Sequence, residues 1–333
     1  MLWIYATRTI AIFFIVLLHS ASFYYNNSEI NSYPWWIGNI FNSASRWAVP
    51  VFVMISGVLL LDENKNLTMF DFYKKRSQKI IIPTIFWSSF YSAIWYLQLK
   101  NSGDQIDFKR LAMNFISGHS YYHLWFLFMI AGMYIFTPFL KKLVHVMKKN
   151  ELNVFLLITF LLSLLYVIYA YKNHYQSNFW PLWCLPFIPY FILGYEFREN
   201  NIHIKKISLI FIIAVLIFCI IISTWFVAVD HNSNNSYFFE PLSIFVIPLS
   251  LSTFILLKKT NFIFEKFFKM LSPLTLGIYI IHPFFLGVFF KLFKKISMEY
   301  PCSILIAATV TTVILSFITS YLLKKTPYLR HVV

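Results

Sequence analysis

The sequence predicts an all-α, polytopic membrane protein of about ten transmembrane helices, with both termini in the cytoplasm. Three observations carry this. Of the 333 residues, 59% are hydrophobic and only 12% charged, about half the charge of a soluble domain. Apolar runs recur along the whole chain at a mean hydropathy of +0.66, with no separate soluble stretch, so a single domain over 1–333 is expected. The formal charge of +15 is gathered into short clusters between the runs. That is a topology signal and argues against a nucleic-acid surface.

The spans fall at roughly 4–25, 47–61, 79–98, 121–140, 152–171, 181–197, 206–228, 241–257, 272–293 and 301–323. The first has a weak n-region and is interrupted by Arg8 and His19, so it reads as a retained helix rather than a signal peptide. The second is short for a bilayer core of about 30 Å and needs its flanks or a re-entrant path. With the N-terminus inside, 20 of the 28 Lys and Arg fall on inner segments, Lys65 and the Lys74–Lys79 cluster among them. The positive-inside rule therefore places both ends in the cytoplasm. Cys184, Cys219 and Cys302 lie in or beside apolar runs without metal spacing and read as packing residues.

Span one sets the functional reading. Ionisable groups in hydrocarbon cost several kcal/mol, so they face a cavity or a polar partner. Arg8 and His19 are 11 residues apart, three turns plus about 20°, and so share one helix face roughly 16 Å apart along the axis. A cation near the inner surface and an imidazole deeper in the membrane suggest the wall of a polar passage.

Each later landmark has a bland reading and a functional one. Asn42, Ser45 and Arg46 precede span two. Arg46 is either a snorkelling anchor or a guanidinium for an anionic or sugar ligand at the outer mouth. Ser56-Gly57 suits close helix approach. Lys74, Lys75, Arg76 and Lys79 come just before span three, whose first turn holds Pro83. They are topogenic charge or, at a helix start, a seat for phosphates. His119 and His123 have the i,i+4 spacing of a metal pair, but a third ligand is missing. An interfacial aromatic belt is the default, with His123 and Trp125 stacking on a sugar as the alternative. Pro181, Pro186 and Pro189 should kink span six, and Glu196 and Arg198 at its inner end are placed to pair. Tyr279 and His282 share a face of span nine, where His282 is a bonded core residue or lines the passage of His19.

These pieces, in order, resemble the acyltransferase-3 family of integral membrane acyltransferases. The matching motifs are Arg8-x10-His19, NSASRWAVPVFVMISG at 42–57, the basic segment before Pro83, YHLWFLF at 122–128 with Pro138 beyond, and LGIYIIH at 276–282. The likeness is closest to the short, domain-only branch that O-acetylates enterobacterial common antigen. It implies a multi-pass protein of the bacterial inner membrane that takes acetyl-CoA from the cytoplasm and acylates a glycan, with Arg8 and His19 essential and no metal. Two departures stand out: Ala6 and Thr7 replace the acidic residue common before the arginine, and Arg76-x-x-Lys79 replaces Arg-x-x-Arg.

On this reading Lys75, Arg76 and Lys79 hold the CoA phosphates and Arg8 steers the thioester. His19 acts as general base or as a covalent acetyl carrier. Asn42, Arg46, His123 and Trp125 hold a lipid-linked or surface glycan, and Tyr279 with His282 completes the oxyanion or acceptor site. Physics alone leaves two alternatives open: a glycan exporter without chemistry, and a transferase for another acyl group such as succinyl.

Overall fold

The computed structural model describes residues 2–62, 68–103, 107–175, 177–200, 202–234 and 236–333; Lys65 lies outside them. Every element among the described residues is helical: α1 (Leu2–Asn27), α2 (Tyr33–Ser45), α3 (Ala48–Leu60), α4 (Met69–Ser102), α5 (Phe108–Ile116), α6 (Trp125–Val146), α7 (Lys149–Lys172), α8 (Ile188–Glu199), α9 (Lys206–His231), α10 (Val246–Lys259), α11 (Glu265–Leu271), α12 (Thr275–Glu299) and α13 (Pro301–Lys325), with short 3-10 turns between some of them. Helix α1 is the hub. It packs on α2, α3, α10, α11, α12 and α13, and Ala6, Ala11, Val16 and Ala21 are fully buried along it.

Among the described residues, eight helical segments are long and apolar enough to cross a bilayer. The short second span is one of them because α2 and α3 run on into a 28-residue segment, Tyr33–Leu60, broken at Arg46. Spans six and eight fall short. Prolines divide the sixth into two 3-10 turns and the 12-residue α8, and α10 has 14 residues. At 1.5 Å per residue neither helix alone covers about 30 Å.

Helix α4 begins ten residues earlier than expected. Thr68 accepts a bond from the Asp71 amide (3.1 Å) and starts the helix, and Pro83 sits inside it. Lys74–Lys79 are therefore on its second and third turns, where the N-terminal dipole no longer acts. Any anion there is held by side chains.

Close contact of α3 with α8 depends on two glycines. A Cβ on Gly57 would overlap the Phe191 backbone, and one on Gly194 the Met54 backbone. At the C-terminal end of α8 Arg198 pairs with Asp62 (2.9 Å) and Glu199 (3.2 Å), while Glu196 accepts from Asn200, so the expected Glu196–Arg198 pair does not form. The bond to Asp62 holds the Arg198 guanidinium above its usual pKa. Lys258 donates to the carbonyls of Arg198 (2.9 Å) and Asn200 (3.2 Å), tying α10 to the end of α8.

Candidate functional site

Four helices carry two polar layers. In the first layer, Arg8 of α1 donates to Thr275 Oγ1 at the start of α12 (3.1 Å). Arg76 of α4 lies over the rings of Phe72 and of Tyr134 from α6, 5.7 and 5.6 Å from their centroids. Arg8 as well as Arg76 acts electrostatically on Tyr134. Lys79 stands in the fields of Arg76, Lys75, Arg8 and Lys324. The Arg76 Nε is buried without a partner. Like charges brought together in this way repel, and an arriving anion relieves the repulsion.

The second layer lies further along the same helices. The His19 ring of α1 is 5.1 Å from that of His282 in α12, and His282 is 5.6 Å from His123 at the head of α6. Tyr91 of α4 is 5.0 Å from His123, and Tyr122 is 5.1 Å from His19. Arg8 and His19 thus share the face expected of them, turned toward α12, with the layers roughly 16 Å apart along α1. The order of contacts also sets direction: α1, α4 and α12 run parallel, and α6 runs against them.

Pro283 explains how the histidines are held. It has no N–H, so the carbonyl four residues back, that of Tyr279, loses its helical donor, and the carbonyl of Ile280 lies beside it. Both carbonyls are taken by the site. His282 Nδ1 lies 2.6 Å from Tyr279 O, and His123 Nε2 lies 3.1 Å from Ile280 O, which also accepts from Tyr91 Oη at 2.7 Å. A carbonyl only accepts, so both rings donate there and both tautomers are fixed. The Tyr279 hydroxyl in turn donates to the His123 carbonyl.

The other nitrogens, His282 Nε2 and His123 Nδ1, are then acceptors, and both are buried without a partner. A buried acceptor left unpaired costs roughly 1–3 kcal/mol, which packing alone does not account for. His123 and His282 are 0% exposed, whereas His19 is half-buried, the most exposed residue of the three.

The other candidates are placed as follows. Arg46, at the α2–α3 break, donates to Phe239 O (2.9 Å), lies 4.0 Å over the Phe239 ring, and acts electrostatically on His19. Asn42 donates to Ser22 Oγ (3.2 Å), three residues past His19 on α1, and its Oδ1 is buried without a partner. Trp125 is not brought to the histidines; its ring meets Phe126 and Phe187. His119 turns to Ser117 and Trp183, so it makes no pair with His123. Among the described residues no group of three or more His, Cys, Asp or Glu is placed to hold a metal ion. Tyr91, Tyr134 and Thr275, which stand out from no motif, and Tyr122, the first residue of the YHLWFLF motif, complete the two layers.

The molecule is thus a multi-pass membrane protein with a cationic layer and a histidine layer on one set of helices. Its sequence matches an acyltransferase domain, that of the acyltransferase-3 family, over residues 1–323, and the chain belongs to that family. No curated protein and no solved structure matches it.

Proposed function

We propose that this membrane acyltransferase moves an acetyl group from cytoplasmic acetyl-CoA to a hydroxyl of a surface polysaccharide or its lipid-linked precursor, in the bacterial inner membrane. One observation carries the reading: α1, α4, α6 and α12 together hold cations without a described acidic partner at one level and unpaired imidazole acceptors at another. Arg76, Lys79 and Lys75 suit the phosphates of the donor, and Arg8, in the same layer and on the His19 face of α1, suits steering the thioester toward the histidines. Likeness to the branch acting on enterobacterial common antigen rests on the ordered motifs alone.

His19 takes the proton of the acceptor hydroxyl as its oxygen attacks the acyl carbon. The C–S bond breaks, and the departing sulfur collects the proton, so ester and free thiol form together. Arg46 and Asn42, close to His19 and Ser22 of α1, hold the acceptor at the outer side with His123, and Tyr279 braces His123 from behind. Trp125 contributes through Phe187 rather than by touching sugar.

Ten crossings with cytoplasmic termini fit this arrangement. Helix α6 runs against α12, so an even number of crossings separates them. Helices α8 and α10 then either both cross or both stop short. The 3-10 turns at Trp180–Leu182 and Leu185–Phe187 lengthen α8 to a membrane-scale path.

The test is transfer of label from radioactive acetyl-CoA to membrane glycan lipid, comparing wild type with His19→Ala and Arg8→Ala at equal expression. Label that appears in wild type and is lost in both variants supports the reading. Glycan appearing on the outer face without release of free CoA would make the protein an exporter. Label trapped on His19 would select the covalent route over direct attack.

A further inference from the structure

His282 is not explained by packing. Its ring is fully buried, its Nδ1–H is committed to the Tyr279 carbonyl that Pro283 frees, and its Nε2 is a lone pair without a partner. The ring that lies against it at 5.1 Å, tilted by 31°, is that of His19. His19 is the more exposed of the two and has two nitrogens to assign. A general base needs a lone pair on the nitrogen facing the substrate, and therefore its proton on the other.

We infer that His282 is the positioning residue of His19, forming a chain that runs from Tyr279 carbonyl to His282 to His19 to acceptor hydroxyl. The kinetic part of this inference rests on the acyl-transfer reading. His282 Nε2 accepts the N–H of His19, which leaves the opposite nitrogen of His19 as the lone pair offered to the acceptor. When the hydroxyl proton moves to that nitrogen, His19 becomes an imidazolium, and His282 Nε2 steadies it by accepting the same hydrogen bond. The proton then leaves His19 for the thiolate released from the donor, and both rings return to their starting tautomers. No oxidant, metal or further reactant is needed. In the resting chain the rings touch without a hydrogen bond, as catalytic pairs often do before a substrate tightens them. The chain closes by rotation of the His19 ring, since the His282 ring is held by its bond to the Tyr279 carbonyl.

The arrangement has the logic of a catalytic triad, with a backbone carbonyl in the orienting place that a carboxylate usually holds. A carbonyl can fix a tautomer but carries no charge. It therefore fits a site in which, among the described residues, His19, His123 and His282 have no carboxylate as a hydrogen-bond partner.

Two measurements test it, and they fail separately. Solid-state NMR of histidine-15N-labelled wild-type protein in lipid bilayers reads the tautomers without any activity. His282 should be protonated at Nδ1 and bare at Nε2, with a nitrogen–nitrogen correlation to His19 that disappears in His19→Phe. A proton on His282 Nε2, or no correlation to His19, overturns the inference whatever the protein's activity. Kinetics follow with acetyl-CoA and membrane glycan lipid, on variants shown to be folded by size-exclusion profile. His282→Leu should lower kcat about 100-fold with both KM values within twofold of wild type, and His282→Gln, which keeps an acceptor oxygen, should recover about tenfold of that loss. Equal loss in both variants, or a loss confined to KM, would make His282 a structural or binding residue and overturn the positioning role. A wild type that transfers no acetyl would sink the acyl-transfer reading, while the NMR result still decides the pair.

Discussion

The two layers differ in how they are built. In the cationic layer Lys75 and Lys79 are exposed and Arg76 half-buried, and nearby charge rather than a bonded frame defines it. In the histidine layer His123 and His282 are fully buried and each is tied to a specific carbonyl, while His19 and Tyr122 stand at its more exposed edge. A layer made of charge works at a distance and tolerates a changed side chain. A layer made of lone pairs works only when each proton is in place. Substitutions should therefore cost turnover in one layer and donor affinity in the other.

The largest effect expected is at His19. Removing the ring in His19→Ala should lower acetyl transfer by about 1,000-fold, within the span attributed to a positioned base, with the KM for acetyl-CoA little changed. Residual activity near wild type would move the base to another ring and break the division between the layers.

Pro283→Ala separates geometry from composition. It leaves all three histidines in place but restores an N–H that competes with His282 for the Tyr279 carbonyl. Proline within a helix costs about 3 kcal/mol, so the variant should unfold at an unchanged or higher temperature in detergent. Its kcat should nevertheless fall about tenfold. A more stable and fully active variant would show that the freed carbonyl does not matter.

How far the sequence discloses the two layers follows from the same difference. Arg8 and His19 are legible because a charge and an imidazole inside an apolar run have a cost that demands a reason, and their 11-residue spacing sets a shared face. The holding of His282 is also legible in part, since a proline next to a histidine marks which carbonyl is free. Tyr91 and Tyr134 are not legible, because an aromatic in an apolar run looks like any core residue. The basic segment misleads for a local reason. Pro83 resembles the first turn of a helix, whereas Thr68 with Asp71 is the actual start and carries the cations into the helix body. Span six reads as a crossing by composition, but its three prolines leave α8 only 12 residues long. Trp125 sits beside His123 in sequence, yet the turn into α6 points it toward Phe187.

In the cationic layer, Arg76→Ala should raise the KM for acetyl-CoA about tenfold with kcat nearly constant, the loss of one charge-assisted contact. That loss should shrink as salt is raised from 50 to 500 mM, because exposed charges are screened. The same salt series should leave the His282→Leu defect unchanged. An Arg76→Ala effect on kcat alone would place the guanidinium in the chemistry and merge the two layers.

The smallest effect expected tests the tolerance of the charge-built layer directly. Lys79 stands where a second arginine would complete Arg-x-x-Arg, and it faces the fields of Arg76, Lys75, Arg8 and Lys324. Lys79→Arg keeps the charge and adds a planar fork that can grip a phosphate with two parallel bonds. If the layer works by field alone, the KM for acetyl-CoA should stay within about twofold of wild type, and the salt dependence should be unchanged. A tenfold tighter KM would mean that the site reads phosphate geometry, and that the ammonium of Lys79 holds donor affinity below what the helix permits.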